Sequence, residues 1–136
     1  MEVIFTGSKK VNALYKGFII ETDQPEQAGG SGSAPSPFDL FLASIGTCVG
    51  FYVLSFCQER SIPTEGLKLN LRHERNEETG LIGNIAIEIR LPREFPKKYS
   101  DAVKRAAGLC AVKKHLENPP RFEIATTISE PKLATI

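Results

Sequence analysis

The chain has three cysteines, at positions 48, 57 and 110, and they are the residues whose chemistry could go beyond packing. A thiolate attacks electrophiles, and two neighbouring thiols can store an electron pair as a disulfide. Cys48 and Cys57 stand nine residues apart in one stretch of helical character. On a helix that spacing is about 14 Å along the axis and half a turn around it, whereas a disulfide needs Cα atoms within about 7 Å. Those two cannot pair within one helix. A bond inside one chain therefore includes Cys110, and tertiary packing decides its mate. Cys110 opens a short helical piece after Gly108, so free backbone N–H groups should face its sulfur and lower its pKa. Lys113 and Lys114, one turn on, would add to this if they turn inward. Cys48 lies deep in its helix, where apolar neighbours alone would raise its pKa. Cys57 is expected to be a small core hydrophobe.

The remaining polar residues suggest less. His73 and His115 lie in unrelated segments without clustered cysteines or carboxylates, so no metal site or cofactor is expected. Gly29-Gly30-Ser31-Gly32 lacks the lysine-bearing or dinucleotide-binding patterns that cradle phosphate. Lys113-Lys114-His115 reads as a solvated helix end, where cations favour the dipole.

These residues are positioned by an α+β chain. Glu2–Thr6, Val11–Tyr15 and Phe18–Glu21 read as a small antiparallel meander, and Gln24–Ser36 as a packed loop rich in Gly, Ser and Pro. Ser36 suits an N-cap, Pro37 a first helical turn, and Asp39 the positive end of the dipole, opening a helix to about Arg60. Leu67–Arg72 and Asn84–Leu91 alternate as strands with one wet face. Tyr99, Ala102, Val103 and Ala106 then mark one face of a helix, which Gly108 interrupts before a second piece with Leu109, Val112 and Leu116. Asn118-Pro119-Pro120 stops that piece, and Phe122, Ile124, Thr126 and Ile128 suggest a last strand. The order is βββ-α-ββ-αα-β, in a single domain over residues 1–136.

Composition narrows the partners. The net charge of +1 gives no field that would favour nucleic acid. No basic stretch followed by an apolar run opens the sequence, so a cytoplasmic protein is expected. Leu40–Cys57 carries no charge and is long enough to be weighed as a membrane span. Its Ser44, Gly46, Thr47, Gly50 and Ser55, with amphipathic strands on either side, favour a buried core helix and no membrane. One small sheet cannot cover such a helix on all sides, which points to a second copy of the chain. Leu40, Ile45, Val49 and Val53 should then be buried.

The block from Gly29 through Ser36-Pro37-Phe38-Asp39-Leu40 to Cys48 resembles the loop–helix signature of the osmotically inducible protein C and organic hydroperoxide resistance (OsmC/Ohr) superfamily. Leu109-Cys110-Ala111-Val112-Lys113-Lys114 is similar to that family's second cysteine at a helix start. The resemblance implies an intertwined homodimer whose two sheets wrap central helices from both chains. It implies that Cys48 attacks an organic hydroperoxide, that Cys110 resolves the product as a disulfide, and that an external thiol restores both. The sequence departs from the peroxidase branch at three places. No arginine precedes Arg60, Phe38 takes the place of a glutamate after Pro37, and Ala111 that of a common proline.

Two functions are therefore expected. One is a thiol-dependent peroxidase using Cys48 and Cys110, with Asp39 as a helix-start acidic partner and Lys113 and Lys114 as thiolate-activating cations. Phe38, Phe41 and Phe51 would line its pocket. The other is a non-catalytic dimer that binds a small apolar ligand, with the cysteines as core.

Overall fold

A computed structural model describes residues 1–128. Strands β1 (Glu2–Gly7), β2 (Lys10–Tyr15) and β3 (Phe18–Ile20) form an antiparallel sheet in sequence order. A loop leads to helix α1 (Pro37–Gln58), and β4 (Lys68–Arg75) and β5 (Ile82–Arg90) pair antiparallel as a second sheet. Two short helices follow, α2 (Ser100–Ala107) and α3 (Ala111–Glu117).

Helix α1 starts as its sequence dictates. Ser36 Oγ accepts from Asp39 N at 3.2 Å, and Asp39 Oδ2 accepts from Ser36 N at 2.9 Å and Ser36 Oγ at 2.7 Å. This reciprocal box satisfies two orphan donors, and Pro37 gives up none because a first-turn N–H has no helical acceptor. At the other end Ile62 N returns to Cys57 O at 2.9 Å, and Ser61 takes φ 52°, which turns the chain out of the helix.

The core lies along one side of α1. Val49, Val53, Phe56 and Cys57 pack with Ile62, Phe95, Val103, Ala107 and Cys110, and Leu69, Ile87 and Ile89 of the second sheet close over them. Ile45, Val49 and Val53 are buried within the chain, while Leu40 is half-buried. The other side of α1 is uncovered: Phe38, Phe51 and Leu54 are 47%, 61% and 40% exposed. Pro37–Gln58 is also long and apolar enough to cross a membrane by length and composition.

The first sheet is left equally open. Its register places Val3, Phe5, Val11, Ala13, Tyr15, Phe18 and Ile20 on one face. That face is apolar throughout, yet Phe5 is 85% and Phe18 71% exposed.

The last expected strand does not form within the chain. Phe122, Ile124 and Ile128 belong to an extended stretch without ladder bonds, all of them exposed. Alternation alone does not make a strand. Its N–H and C=O groups need a partner edge, and residues 121–128 meet none among the described residues.

Candidate functional site

The loop before α1 is organised by one carboxylate. Asp23 is fully buried, and its Oδ2 accepts from Ser31 N and Oγ at 3.1 and 2.7 Å and from Ser33 N and Oγ at 3.1 and 2.9 Å. Gln24 N donates to Oδ1 at 2.8 Å. The Ser31 hydroxyl bond leads the effects that hold the Asp23 carboxyl well below the usual carboxylate range, ahead of the opposing cost of burial. Gly30 is required for this wrap, since a Cβ there would stand 1.9 Å from Gln24 O. The donors of the Gly-Ser segment thus face an internal carboxylate and not a phosphate. The sequence reading missed Asp23. A lone acid ahead of a Ser-rich loop, whose hydroxyls and amides need an acceptor, is the signal that could have found it.

The loop delivers α1, and α1 presents Cys48 to the start of α3. The backbone N–H of Val112 acts most strongly on the Cys48 thiol and lowers its pKa. Partial burial opposes this, and the Cys110 thiol and the Ala111 N–H reinforce it. Cys110 is wholly buried and its pKa is raised, chiefly by desolvation. Lys113 N, which donates to Cys110 Sγ at 3.4 Å, works against that rise, and proximity to Cys48 adds to it. This reverses the expectation for both thiols. The amides at the α3 start do face sulfur, but packing of α1 against α3 brings a second sulfur to them, and the more exposed thiol benefits. Cys57 is fully buried in the core near the last turn of α1, with its pKa raised by desolvation.

The proposed charged partners sit elsewhere. Lys113 Nζ pairs with Glu117, and both Lys113 and Lys114 are exposed. The groups that lower Cys48 are backbone amides and a thiol, with no lysine among them. Asp39 is occupied in the capping box, which lowers its pKa through the Ser36 hydroxyl. Arg60 donates to Phe56 O at 3.1 Å and lies 4.0 Å over the Phe56 ring, at the opposite end of α1 from the loop.

Beside the cysteine pair is a cavity of about 700 Å³ lined by Phe41, Ile45, Val49, Ile85, Ile87 and Ile89, with Asn84, Lys104, Lys113 and Glu117 as its polar groups. Ile45 and Val49 flank Cys48 on α1, although Cys48 does not itself line the cavity. Of the three phenylalanines expected there, Phe41 lines it. Phe38 stacks on Phe41 with ring centroids 5.4 Å apart, and Phe51 points to the exposed side of α1 against Tyr52. His73 is exposed and borders a separate hollow with Leu71 and Thr47. His115 Nδ1 lies 2.8 Å from Ala111 O within α3. Among the described residues no group of three or more His, Cys, Asp or Glu converges as metal ligands would.

Two adjacent thiols of unequal acidity can divide the work of a redox reaction. Comparison with known proteins identifies the family and the fold. The OsmC-like protein family matches residues 30–125. The fold is similar to that of a candidate osmotic stress induced and detoxification response protein from Psychrobacter arcticus, with 23% identity and a TM-score of 0.71 over 83% of this chain and 84% of that one. It is also similar to a candidate organic hydroperoxide resistance protein from Vibrio cholerae with captopril bound in one of the active sites, at 20% identity and TM-score 0.52 over 86% and 83% of the two chains. The organic hydroperoxide resistance protein OhrB of Bacillus subtilis matches at 17% identity and TM-score 0.51 over 86% and 90%. No match was found among curated proteins.

Proposed function

Because the chain belongs to the OsmC-like protein family, we propose that it is a cysteine-based redox protein that reduces organic hydroperoxides. In the first step the Cys48 thiolate attacks the terminal oxygen of ROOH. The O–O bond breaks, an S–O bond forms, and the departing alkoxide takes a proton to leave as ROH, with Cys48 as sulfenic acid. Cys110 then attacks the Cys48 sulfur. The S–S bond forms, and hydroxide leaves with the Cys110 proton as water. An external dithiol returns two electrons and two protons.

The observation that carries this reading is the unequal pair: Cys48 lowered by the Val112 amide, Cys110 buried and raised beside it. Of two neighbouring thiols, the one with the lowered pKa carries the larger thiolate fraction and is the better placed nucleophile, and the raised one is left to resolve. The amides of the α3 start act where the peroxidase branch is expected to use arginine. They are fixed dipoles without net charge, so activation is weaker than a cation would give. Stopped-flow consumption of cumene hydroperoxide by wild type and Cys48→Ser tests the assignment; equal rates would sink it.

The protein works as a homodimer in this reading. The support is that one chain leaves both an apolar sheet face, with Phe5 and Phe18, and an apolar helix side, with Phe51 and Leu54, open to water. Exposed apolar patches of this kind mark an interface. A second copy supplies each face with its cover, and the helix that could otherwise suit a membrane becomes core. The cytoplasm, which keeps thiols reduced, suits such a cycle.

The apolar cavity favours a second reading, in which the dimer holds a small apolar ligand without turnover. Its walls are aliphatic and Cys48 stands outside them. The two differ in one readout: the binding protein leaves hydroperoxide untouched and its Cys48 unoxidised.

A further inference from the structure

In the first turn of α3 a backbone N–H without a helical acceptor, that of Lys113, ends on a sulfur. Cys110 is the N-cap, and its Sγ accepts from Lys113 N at 3.4 Å. The Ala111 and Val112 amides lower the pKa of the Cys48 thiol. The next amide, Lys114 N, already has Cys110 O at 3.1 Å. No hydroxyl or carboxylate caps this helix, so the Cys110 thiol is its side-chain cap. Little else holds it. None of its residues is buried, Val112 alone packs on the core, and the exposed Lys113–Glu117 pair adds a small brace.

We propose that oxidation of Cys48 and Cys110 to a disulfide uncaps α3 and loosens it, so that the buried bond becomes reachable by its reductant. This rests on the redox assignment of the two cysteines above. When the S–S bond forms, the two thiols give up two protons and two electrons to the oxidant, and no ionisable sulfur is left beside the Ala111 and Val112 amides. Cys110 Sγ must also close to about 2.05 Å from its partner, which turns it away from Lys113 N. A neutral disulfide sulfur is also a poorer acceptor for the Lys113 amide than the thiol it replaces. A helix of seven residues has no stability of its own to fall back on. The device serves the cycle, because Cys110 is 0% exposed and Cys48 only half-buried when reduced, so that loosening α3 widens the access of an incoming dithiol to the pair.

Hydrogen exchange on the full chain decides the matter. The disulfide is made with diamide, which accepts the two electrons and two protons, so that its formation does not depend on peroxide chemistry. Peptide masses verify the bond. The amides of Lys113–Glu117 should exchange about fivefold or more faster in the oxidised protein, the scale of a lost helix cap, while Val49–Phe56 in α1 stay unchanged. Reduced Cys110→Ala should exchange in α3 like the oxidised wild type. Cys110→Ser, whose hydroxyl caps well, should stay protected with or without diamide. Equal or slower exchange in the disulfide form, an Ala variant as protected as wild type, or failure of diamide to join the two thiols would each overturn the proposal. A disulfide that forms with diamide but not with hydroperoxide counts against the peroxidase reading alone, and exchange still decides the switch.

Discussion

Cys110 is completely buried with its pKa raised, and the thiol it presents to Cys48 helps to lower the pKa of that neighbour. The two sulfurs share one set of amides, and only one of them can draw on that set fully. This asymmetry gives the pair a direction, with Cys48 as attacker and Cys110 as resolver.

The asymmetry should appear in pH-dependent alkylation. Iodoacetamide labelling of Cys48 should show its inflection below the ordinary thiol value of about 8.5, and labelling of Cys110 above it. The sign for stability follows. A thiol whose folded pKa is lowered adds stability that is full above the unfolded pKa and lost as pH falls through the folded one. Cys48 should therefore stabilise the chain more at mildly alkaline than at neutral pH, and Cys48→Ser should flatten that rise in urea titrations. Titration of Cys48 at or above the ordinary value would remove the basis for an activated nucleophile.

Removing the resolving thiol should stop the cycle after its first step. Cys110→Ser is expected to consume one equivalent of cumene hydroperoxide per Cys48 and then stall, leaving a sulfenic acid that dimedone traps as an adduct. Multiple turnover at wild-type rate in this variant would show that Cys110 has no part in resolution.

The Asp23 wrap should matter to folding. Gly30→Ala places a methyl group 1.9 Å from Gln24 O, backbone that cannot step aside without breaking the Asp23 bonds. Roughly 5 °C or more should be lost from Tm. Asp23→Asn removes the charge that four Ser donors share, and should be destabilised at neutral pH but not further on acidification. A fall in Tm no greater than that of an exposed change such as Glu77→Ala would contradict the role given to this loop.

Association should depend on the open sheet face. Sedimentation velocity is expected to show a dimer for the wild type, weakened roughly tenfold or more by Phe5→Lys or Phe18→Lys, each of which puts a charge into an apolar interface. A folded monomer at micromolar concentration would leave the exposed faces of α1 and of the first sheet without their proposed cover.

The sequence carried the scaffold better than the chemistry of its site. The Ser36-Pro37-x-Asp39 start, the alternation on β4 and β5 and the break at Gly108 are local signals, and each acted locally in the structure. The segment Phe122–Ile128 has the same alternation and forms no strand among the described residues, because pairing depends on a partner edge and no described strand offers it one. Asp23 was invisible as the loop centre because its donors, Ser31 and Ser33, are brought to it only by the turn through Gly29 and Gly30. The acidity of the thiols was also misjudged, since helix position alone gave the α3 amides to Cys110. Only the packing of α1 on α3 shows that Val112 N–H acts on Cys48. Lys113 and Lys114 looked like activators for the same reason, yet the first turns to Glu117 on its own helix.

Non-reducing peptide mapping after substoichiometric cumene hydroperoxide tests the central assignment most directly. The predicted result is one disulfide, Cys48–Cys110, formed with one equivalent of cumyl alcohol, while buried Cys57 keeps its free thiol. Three unreacted thiols with the hydroperoxide intact, or a dominant bond through Cys57, would contradict it.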